Sequence, residues 1–334
     1  MIRTRLAVAA MAALLLAGTA HAQQPTAAAP PAPPDFSTVE IKVTDLGDNV
    51  YMLEGQNPGS IGGNITVAVA KTGIIMVDGQ FAPLHDKIKA AVANISSLPI
   101  RYLINTHYHG DHTGGNEAFA RDGVTVVAQE NVKKRLEAGT TNGLTGAKVP
   151  PAPAGALPSD TYMNFSKIRL PGRVADLKYM PNAHTDGDTY VWFKTANVLA
   201  TGDTFTNGRY PNIDFANGGN IKGMIAAADI YLKLTNAKSR IVPGHGPVAD
   251  RAALTEYRAM LVTARDRMEK LVKEGKSEQD VIALKPFADL DKKWAPNELA
   301  GTNFIRVVWH SLADKPPTPE KKGFLKRLLK RNGS

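Results

Sequence analysis

The chain has 334 residues, a net charge of +9 and no cysteine. Without cysteine it can form no disulfide, and any metal site must use nitrogen and oxygen ligands. The positive charge lies at the two ends, because Arg3 and Arg5 are in the N-terminal leader and residues 315–334 carry seven Lys or Arg against a single Glu. The body between them is near +1, so we expect no nucleic-acid partner.

Residues 1–22 have the three parts of a secretory signal peptide. Arg3 and Arg5 form a positive n-region, residues 6–18 are apolar, and Ala-His-Ala at 20–22 is a small-x-small cleavage site. The apolar run is too short to span a bilayer comfortably, although a membrane anchor is the alternative interpretation. We therefore expect a cleavable Sec-type signal peptide and a periplasmic or secreted protein.

The segment 23–38 is rich in Pro and Ala and has nothing to bury, so we expect a disordered linker. From Val39 onward, strand-like and helix-like patterns alternate. The first half predicts a strand over 49–55, two strands within 65–79, a helix over 85–97, a strand over 100–107, a helix beginning within 114–123 and a strand over 124–129.

The second half repeats this plan loosely, since residues 187–205 resemble residues 63–81 in having two strands around a Lys-Thr turn. Alternating strands and helices predict a layered α/β domain. Residues 145–160 interrupt the alternation and predict a surface loop. The remaining predicted elements are a helix over 223–237, a strand over 239–244, a long amphipathic helix over 251–275 and a final helix over 303–312.

The stretch 105–116, NTHYHGDHTGGN, crowds four ligand-type side chains into one short loop. A loop this tight cannot direct all four at a single ion without strain. We expect His107 and His109 to face one metal centre. The other two, Asp111 and His112, would face a second centre, and the glycines let the backbone turn tightly enough to bring the ligands together.

Three further ligand-type residues stand beside strand-like runs, as expected if one edge of a sheet presents them all: His184, Asp203 and His245. We expect His184 to complete the first centre, His245 to complete the second, and Asp203 to bridge them. Imidazoles and carboxylates without sulfur suit zinc, and iron or manganese also fit. We assign the other two histidines of the body, His85 and His310, to structural roles.

This pattern resembles that of the metallo-β-lactamase superfamily. Its His-x-His-x-Asp-His signature stands at residues 107–112, and His184, Asp203 and His245 occupy its later ligand motifs. The resemblance covers residues from about 40 to 250. It implies an α/β fold, a four-layer αββα sandwich with a two-metal site at one sheet edge. The helices predicted after residue 250 would be extra C-terminal helices.

The resemblance divides the chain into segments. These are a signal peptide over 1–22, a linker over 23–38, a metallo-β-lactamase-like domain over 39–250, a helical extension packed on it over 251–314, and a basic tail over 315–334. The tail places apolar residues on one helical stripe, so a weak contact with a membrane surface is one interpretation and a solvated end is the other. The sequence leaves the oligomeric state open.

A metal-dependent hydrolase is also implied by the resemblance. Two Zn²⁺ ions would lower the pKa of bound water to about 7, and the resulting hydroxide would attack a carbonyl carbon. Asp111 would orient this nucleophile and later move its proton to the leaving group. Asp78 resembles the family's acid that orients a metal ligand, and a carboxylate that merely caps a turn is the alternative. A non-catalytic metal-binding protein remains a further alternative.

The substrate is expected to be a small molecule. Export and a positive site favour an amide that bears a carboxylate, so β-lactam hydrolysis, and with it antibiotic resistance, is the first hypothesis. Asp203 is a departure, because the well-known β-lactamase subclasses have Cys or Ser there, and it favours a lactone, ester or thioester hydrolase instead. Hydroxyacylglutathione hydrolases match poorly, since residues 251–314 contain no evident glutathione-binding pattern.

The segment 206–223 directly follows the bridging aspartate and is a candidate wall of the substrate site. Its glycine and asparagine content is equally typical of a connecting loop. The loop 57–62 is a candidate flap on the opposite side. The candidate contacts to a substrate carboxylate or carbonyl are Arg209, Tyr210, Asn220 and Lys222.

Overall fold

The computed structural model describes residues 35–57 and 59–313. The predicted signal peptide, residues 23–34 of the predicted linker and the predicted basic tail lie outside these residues. No helix among the described residues is long and apolar enough to cross a membrane.

The strands form two large sheets and a small hairpin. The first sheet has the order β1-β2-β3-β4-β5-β6-β9, and β4, β5, β6 and β9 run parallel within it. The second has the order β10-β11-β12-β13-β14, and β7 pairs with β8. The strands are β1 (Glu40–Asp45), β2 (Val50–Asn57), β3 (Gly59–Val69), β4 (Ile74–Val77), β5 (Ile100–Ile104), β6 (Thr125–Gln129), β7 (Thr140–Thr141), β8 (Lys148–Val149), β9 (Asp160–Tyr162), β10 (Phe165–Leu170), β11 (Arg173–Met180), β12 (Asp188–Phe193), β13 (Val198–Ala200) and β14 (Arg240–Val242).

The helices follow the strands closely along the chain. Short helices lie around the first sheet, and a long helical run follows the second. They are α1 (His85–Ile95), α2 (Gly110–Thr113), α3 (Asn116–Arg121), α4 (Glu130–Ala138), α5 (Ile221–Leu234), α6 (Arg251–Lys273), α7 (Glu278–Leu284), α8 (Ala288–Trp294) and α9 (Glu298–Ala313).

The alternation of side chains along β4 accounts for the layers. Ile74 and Met76 pack with α1 and α3, whereas Ile75 and Val77 pack in the cluster between the two sheets. Along β12 the same period of two places some side chains between the sheets and others against α5, α6 and α9. A strand that is apolar on both faces is buried on both, so the layers are helix, sheet, sheet and helix, which confirms the predicted four-layer sandwich.

The C-terminal helices pack on the outer face of the second sheet. The side chain of Asp250 caps α6 by accepting from the backbone N–H of Ala253 (2.9 Å). Ser277 and Asp280 form a capping box at the start of α7. Each cap contributes about 1 kcal/mol, and the buried faces of α6 and α9 join one apolar cluster with α5. The extra C-terminal helices expected from the sequence are present.

Several local predictions differ in detail from the structure. Residues 36–38, assigned to the linker, form a short 3₁₀ turn, which is held because Lys87 Nζ donates to the carbonyl oxygens of Phe36, Ser37 and Val39. The segment 145–160 is mostly exposed and irregular, as predicted for a surface loop, but it also contains the two-residue strand β8 and the first residue of the edge strand β9. The candidate flap lies at the turn of the hairpin of β2 and β3, where Asn57 pairs with Gly59, and its role stays a prediction. Strands β10 and β11 were not predicted.

Candidate metal centre

The ends of four strands, two from each sheet, meet at one edge of the sandwich. Val77 ends β4 and Ile104 ends β5, and these neighbouring strands are parallel. Strands β13 and β14 are likewise parallel neighbours in the second sheet. The residues just beyond these strand ends therefore emerge side by side. They supply all the predicted ligands except His184, which lies in the turn before β12.

His107, His109 and His184 form the first ligand group. His109 Nδ1 and His184 Nε2 face each other at 3.0 Å, and Asp203 offers a carboxylate oxygen to the same group. The outer ring nitrogens are hydrogen bonded. His109 Nε2 donates to Asp214 Oδ2 (3.0 Å) and His184 Nδ1 donates to the carbonyl oxygen of Asn212 (2.8 Å).

These outer hydrogen bonds decide which nitrogens carry lone pairs. A neutral imidazole has one N–H, and a metal ligand must offer the other nitrogen. Because the outer nitrogens donate, His109 Nδ1 and His184 Nε2 both present lone pairs toward the same point. Two lone pairs 3.0 Å apart repel unless a cation lies between them, so this arrangement fits a bound metal ion.

Asp111, His112 and His245 form the second ligand group. His245 Nε2 lies 3.3 Å from Asp111 Oδ2, and His112 Nε2 lies 3.7 Å from the same oxygen. The short helix α2 begins directly after His109, which places Asp111 and His112 in its first turn. This turn lets two consecutive residues of the motif face the second group.

Asp78 orients His112 from behind. His112 Nδ1 lies 2.8 Å from Asp78 Oδ2, and the same carboxylate accepts from the backbone N–H and the hydroxyl of Thr106, each at 2.7 Å. Asp78 has a φ of 65°, a left-handed conformation that Asp tolerates better than most residues. The side chain therefore does for His112 what the sequence suggested, and it is 2% exposed.

Asp203 lies between the two groups. Its Oδ1 is 3.2 Å from His112 Nε2, and its Oδ2 is 3.2 Å from His245 Nε2 and 3.7 Å from His184 Nε2. One carboxylate thus reaches ligands of both groups. The structure brings all seven predicted ligand side chains into one cluster, with Asp203 in the bridging position.

Burial and charge act in opposite directions within the cluster. Burial lowers the pKa of His184 to about 4 and that of His107 well below its usual value. Burial also opposes the charged forms of His112 and Asp203, but neighbouring opposite charges outweigh it. The pKa of His112 is raised well above its usual value, and that of Asp203 is held well below its own.

Buried side-chain atoms that lack a hydrogen-bond partner indicate whether a metal fits in the cluster. Among the described residues, His107 Nε2, His112 Nε2 and Asp203 Oδ1 are buried and make no hydrogen bond. Buried polar atoms normally find partners, and their absence calls for an explanation such as an ion. A side chain at Gly63 would collide with the His112 ring, and one at Gly244 with the Asp203 carboxylate. The donor set and its tight surroundings fit divalent metal ions.

A cleft of about 290 Å³ leads to the cluster. His109 and Asp111 lie at its floor, and Asp111 is about a quarter exposed. Its walls come from the loop 142–144 and from the segment 212–215, with Phe81 opposite. A small molecule in this cleft would reach Asp111 and the outer side of the first ligand group.

Three of the four predicted substrate contacts bind other groups of the protein. Tyr210 is buried, and its hydroxyl donates to Asp291 Oδ1 (2.9 Å). Asn220 caps α5 by accepting from the backbone N–H of Lys222 (2.8 Å), and Lys222 Nζ pairs with a carboxylate of α6. These three polar groups are engaged in holding helices, and their contact with a substrate stays a prediction. Arg209 is exposed and lines a second cavity next to the cleft.

The sequence-based prediction missed Asp214, which supports the first ligand group. Asp214 accepts from His109 and also from the hydroxyl of Tyr108, and its Oδ1 accepts from Asn217 Nδ2 (2.8 Å). Its backbone N–H donates to the carbonyl oxygen of His184 (2.9 Å). Asp214 thus contacts two histidines of the first group, His109 through its side chain and His184 through its backbone. The only signal in the sequence was an acidic residue within the loop that follows Asp203.

The remaining histidines, His85 and His310, lie apart and contact Asp122 and Glu278, respectively.

Comparisons with known proteins agree with this geometry. The family model described as the metallo-beta-lactamase superfamily matches residues 58–265. The chain is 26% identical over 213 residues to the lactamase-like protein aptB of Emericella nidulans, covering 62% of this chain and 60% of that protein. It is 28% identical over 196 residues to a hydroxyacylglutathione hydrolase of Nitrosococcus oceani, covering 58% of this chain and 65% of that enzyme. The sequence-based prediction had treated that enzyme class as a poor match.

The chain therefore spans less than two thirds of the length of these relatives. Among solved structures, a metallo-beta-lactamase from Pontibacter korlensis has a TM-score of 0.54 with 19% identity. The likeness covers 67% of this chain and 99% of that one. At this identity it supports the fold alone.

Proposed function

Since this chain belongs to the metallo-β-lactamase superfamily, we propose that it is an exported hydrolase that uses two divalent cations, zinc in the first instance, to cleave a carbonyl compound. The observation that carries the proposal is the position of Asp203. Its carboxylate lies within 3.2 Å of ligands of the second group and 3.7 Å of a ligand of the first. A carboxylate that reaches both ligand groups can be shared by two adjacent cations.

Each ligand group would hold one cation. His107, His109 and His184 would hold one cation, Asp111, His112 and His245 the other, and Asp203 would contact both. Bound cations supply the positive charge that polarises a carbonyl and lowers the pKa of water toward about 7. Asp78 and Asp214 keep His112 and His109 in the tautomers that direct their lone pairs inward.

Asp111 is the proposed proton carrier. It lines the cleft and is about a quarter exposed, so a substrate and an attacking water can both reach its carboxylate. The carboxylate can orient that water, hold its proton, and return the proton to the leaving group. A positioned acid–base group of this kind contributes about 10² to 10⁴-fold in rate.

Two substrate classes are proposed. A β-lactam amide is the first, because its carboxylate suits a positive site and its size suits the cleft of about 290 Å³. A thioester, lactone or ester is the second, and two observations favour it. One is the carboxylate of Asp203 in the bridging position, and the other is the similarity to hydroxyacylglutathione hydrolase.

Turnover and metal content together test the proposal. The purified protein would be analysed for bound metal and assayed with a chromogenic β-lactam, a lactone, a thioester and an ester, with and without EDTA. We expect metal-dependent turnover of one class. The Asp111→Asn variant should lose about 10²-fold or more of that activity, whereas Asp160→Asn, an exposed aspartate on β9, should keep it.

The possible results separate the alternatives. Turnover of the thioester but not of the β-lactam would select the second class. Protein that binds no metal, or turnover that EDTA does not affect, would contradict the proposal. Full activity in Asp111→Asn would remove Asp111 from its role while leaving the cations in theirs. Cleavage near residue 22, read from the N-terminus of protein recovered from the periplasm or medium, would test export.

A further inference from the structure

A larger cavity, of about 660 Å³, opens beside the catalytic cleft. The C-terminal helices α8 and α9 form one wall, and the segments 142–145 and 209–212 form the other. Asn142, Leu144 and Asn212 line both this cavity and the cleft. The two spaces are therefore neighbours that share lining residues, and a molecule bound in the cleft would have the larger cavity beside it. We call this larger cavity the helical groove.

The helical groove is apolar along the C-terminal helices. Trp294, Leu299, Phe304 and Val307 line it. Leu299 is 66% exposed, whereas the other three are only 2–6% exposed and form the base of the wall. Exposed leucine is common, but here it adjoins an apolar wall at the edge of a catalytic cleft. Covering such a wall with an apolar group is favourable in proportion to the area removed from water.

The helical groove also carries one uncompensated charge. Arg306 lines it but binds Glu278 Oε1 (2.6 Å) on α7. Arg209 lines it too, is exposed, and has no ion pair among the described residues. A guanidinium without a carboxylate partner suits an anionic ligand, because its donors match a carboxylate in geometry and charge.

We propose that the helical groove is the subsite for the part of the substrate remote from the cleaved bond, and that this part is an apolar chain or ring bearing an anionic group held by Arg209. The assignment rests on the proposed hydrolase function. The cleft of about 290 Å³ is at the small end of the usual range for ligand sites, and the groove provides the remaining volume.

Binding of simple aliphatic acids tests the subsite without any turnover. The full chain would be titrated with acetate, butanoate, hexanoate and octanoate in EDTA, so that metal ions cannot hold the carboxylate. Tryptophan emission reports binding, because Trp294 lines the groove. We expect affinity to rise with chain length, by up to about fourfold for each buried methylene. Equal affinity for all four acids would overturn the proposal.

Matched variants locate the binding. Octanoate should bind about tenfold more weakly to Arg209→Gln and to Leu299→Asp. Arg169→Gln on β10 and Leu284→Asp at the end of α7 change similarly exposed residues elsewhere, and both should bind like the unaltered protein. An equal loss in the two control variants, or no loss in the groove variants, would contradict the assignment.

Kinetics relate the groove to the cleft and keep the two proposals apart. For whichever substrate class is hydrolysed, octanoate should raise KM and leave kcat unchanged in the metal-loaded protein. Inhibition that lowers kcat without changing KM would contradict a shared site. If no class is hydrolysed but octanoate binds with the expected variant pattern, the hydrolase proposal fails and the amphiphile site of the groove stands.

Discussion

The two ligand groups are supported by different parts of the molecule. His112, in the second group, is held by Asp78, which directly follows a central strand and is 2% exposed. His109 and His184, in the first group, are held by Asp214 and by the backbone of Asn212, both in a loop that lines the cleft. The second group is thus built on the sheet, and the first depends on a loop.

Because of this difference, substitutions near the two groups should affect folding stability and metal affinity to different extents. The second group is held by a carboxylate, Asp78, that is buried at the end of a core strand. A substitution that removes this carboxylate should therefore lower the free energy of unfolding. The loop-supported group should lose metal affinity with a smaller loss of stability. Loops also carry specificity on a rigid scaffold, and the same segment leads into the helical groove.

The largest expected effect is that of Asp78→Asn. Asn tolerates the left-handed backbone at this position, but it removes the buried charge that pairs with His112. Breaking a buried pair costs about 3–5 kcal/mol, measured by urea unfolding in EDTA. Metal affinity of the second group should fall about 10- to 100-fold.

The control is an exposed pair of the same chemistry. Asp122 contacts His85 at 3.0 Å on the surface, and Asp122→Asn should cost no more than about 1 kcal/mol. Similar losses from both variants would mean that the sheet gives the second group no special support.

The two groups should also respond to pH with opposite signs in EDTA. His184 has a folded-state pKa of about 4, below its unfolded value near 6.5. The unfolded chain therefore binds more protons between pH 6.5 and 4, so stability falls as the pH is lowered through that window, by roughly 3 kcal/mol. His112 has a raised pKa, so its contribution is full below 6.5 and is lost as the pH rises above it.

Urea midpoints from pH 4 to 9 measure this contrast. His184→Gln should flatten the loss on the acid side, and His112→Gln should flatten the loss on the alkaline side. Each variant serves as the control for the other. If both variants changed the same side of the profile, the electrostatic distinction between the groups would be wrong.

A smaller effect is expected when loop support is removed from the first group. Asp214→Ala takes away the acceptor that fixes the tautomer of His109, so one metal ion should bind about 10- to 100-fold more weakly while the other is unchanged. Titration against a competing chelator resolves the two affinities. Tyr108→Phe removes only the second donor to the same carboxylate oxygen and should leave both affinities nearly unchanged. A loss at both sites in Asp214→Ala would show that the groups are not supported independently.

The sequence could predict the ligands because their chemistry and spacing are local. His107 to His112 form one short motif, and Asp203 and His245 directly follow predicted strands. The four layers were predicted only through the family resemblance, and the structure gives their physical reason, since β4 and β12 alternate their apolar side chains between two cores. Asp78 could be singled out because it ends such a strand.

The supporting contacts were less predictable because they depend on tertiary structure. Asp214 lies 105 residues from His109 in sequence, and only the path of the loop makes it an acceptor. Tyr210 and Lys222 were predicted as substrate contacts because they are polar and follow a ligand. Their partners, Asp291 and Glu269, belong to helices whose packing the sequence pattern did not reveal.

The smallest expected effects are those of substitutions at Asn220 and Lys222, which contact helices and not the ligand groups. Asn220 caps α5 and its Nδ2 donates to the carbonyl oxygen of Ser311 (2.5 Å) on α9. Asn220→Ala should therefore lower the free energy of unfolding by about 1 kcal/mol without changing metal affinity or kcat/KM. Lys222→Ala, which breaks a surface pair, should cost no more than about 1 kcal/mol. A rise in KM for either variant would return these residues to the substrate site. Unchanged kinetics would confine the functional part of this loop to the residues up to Asn217.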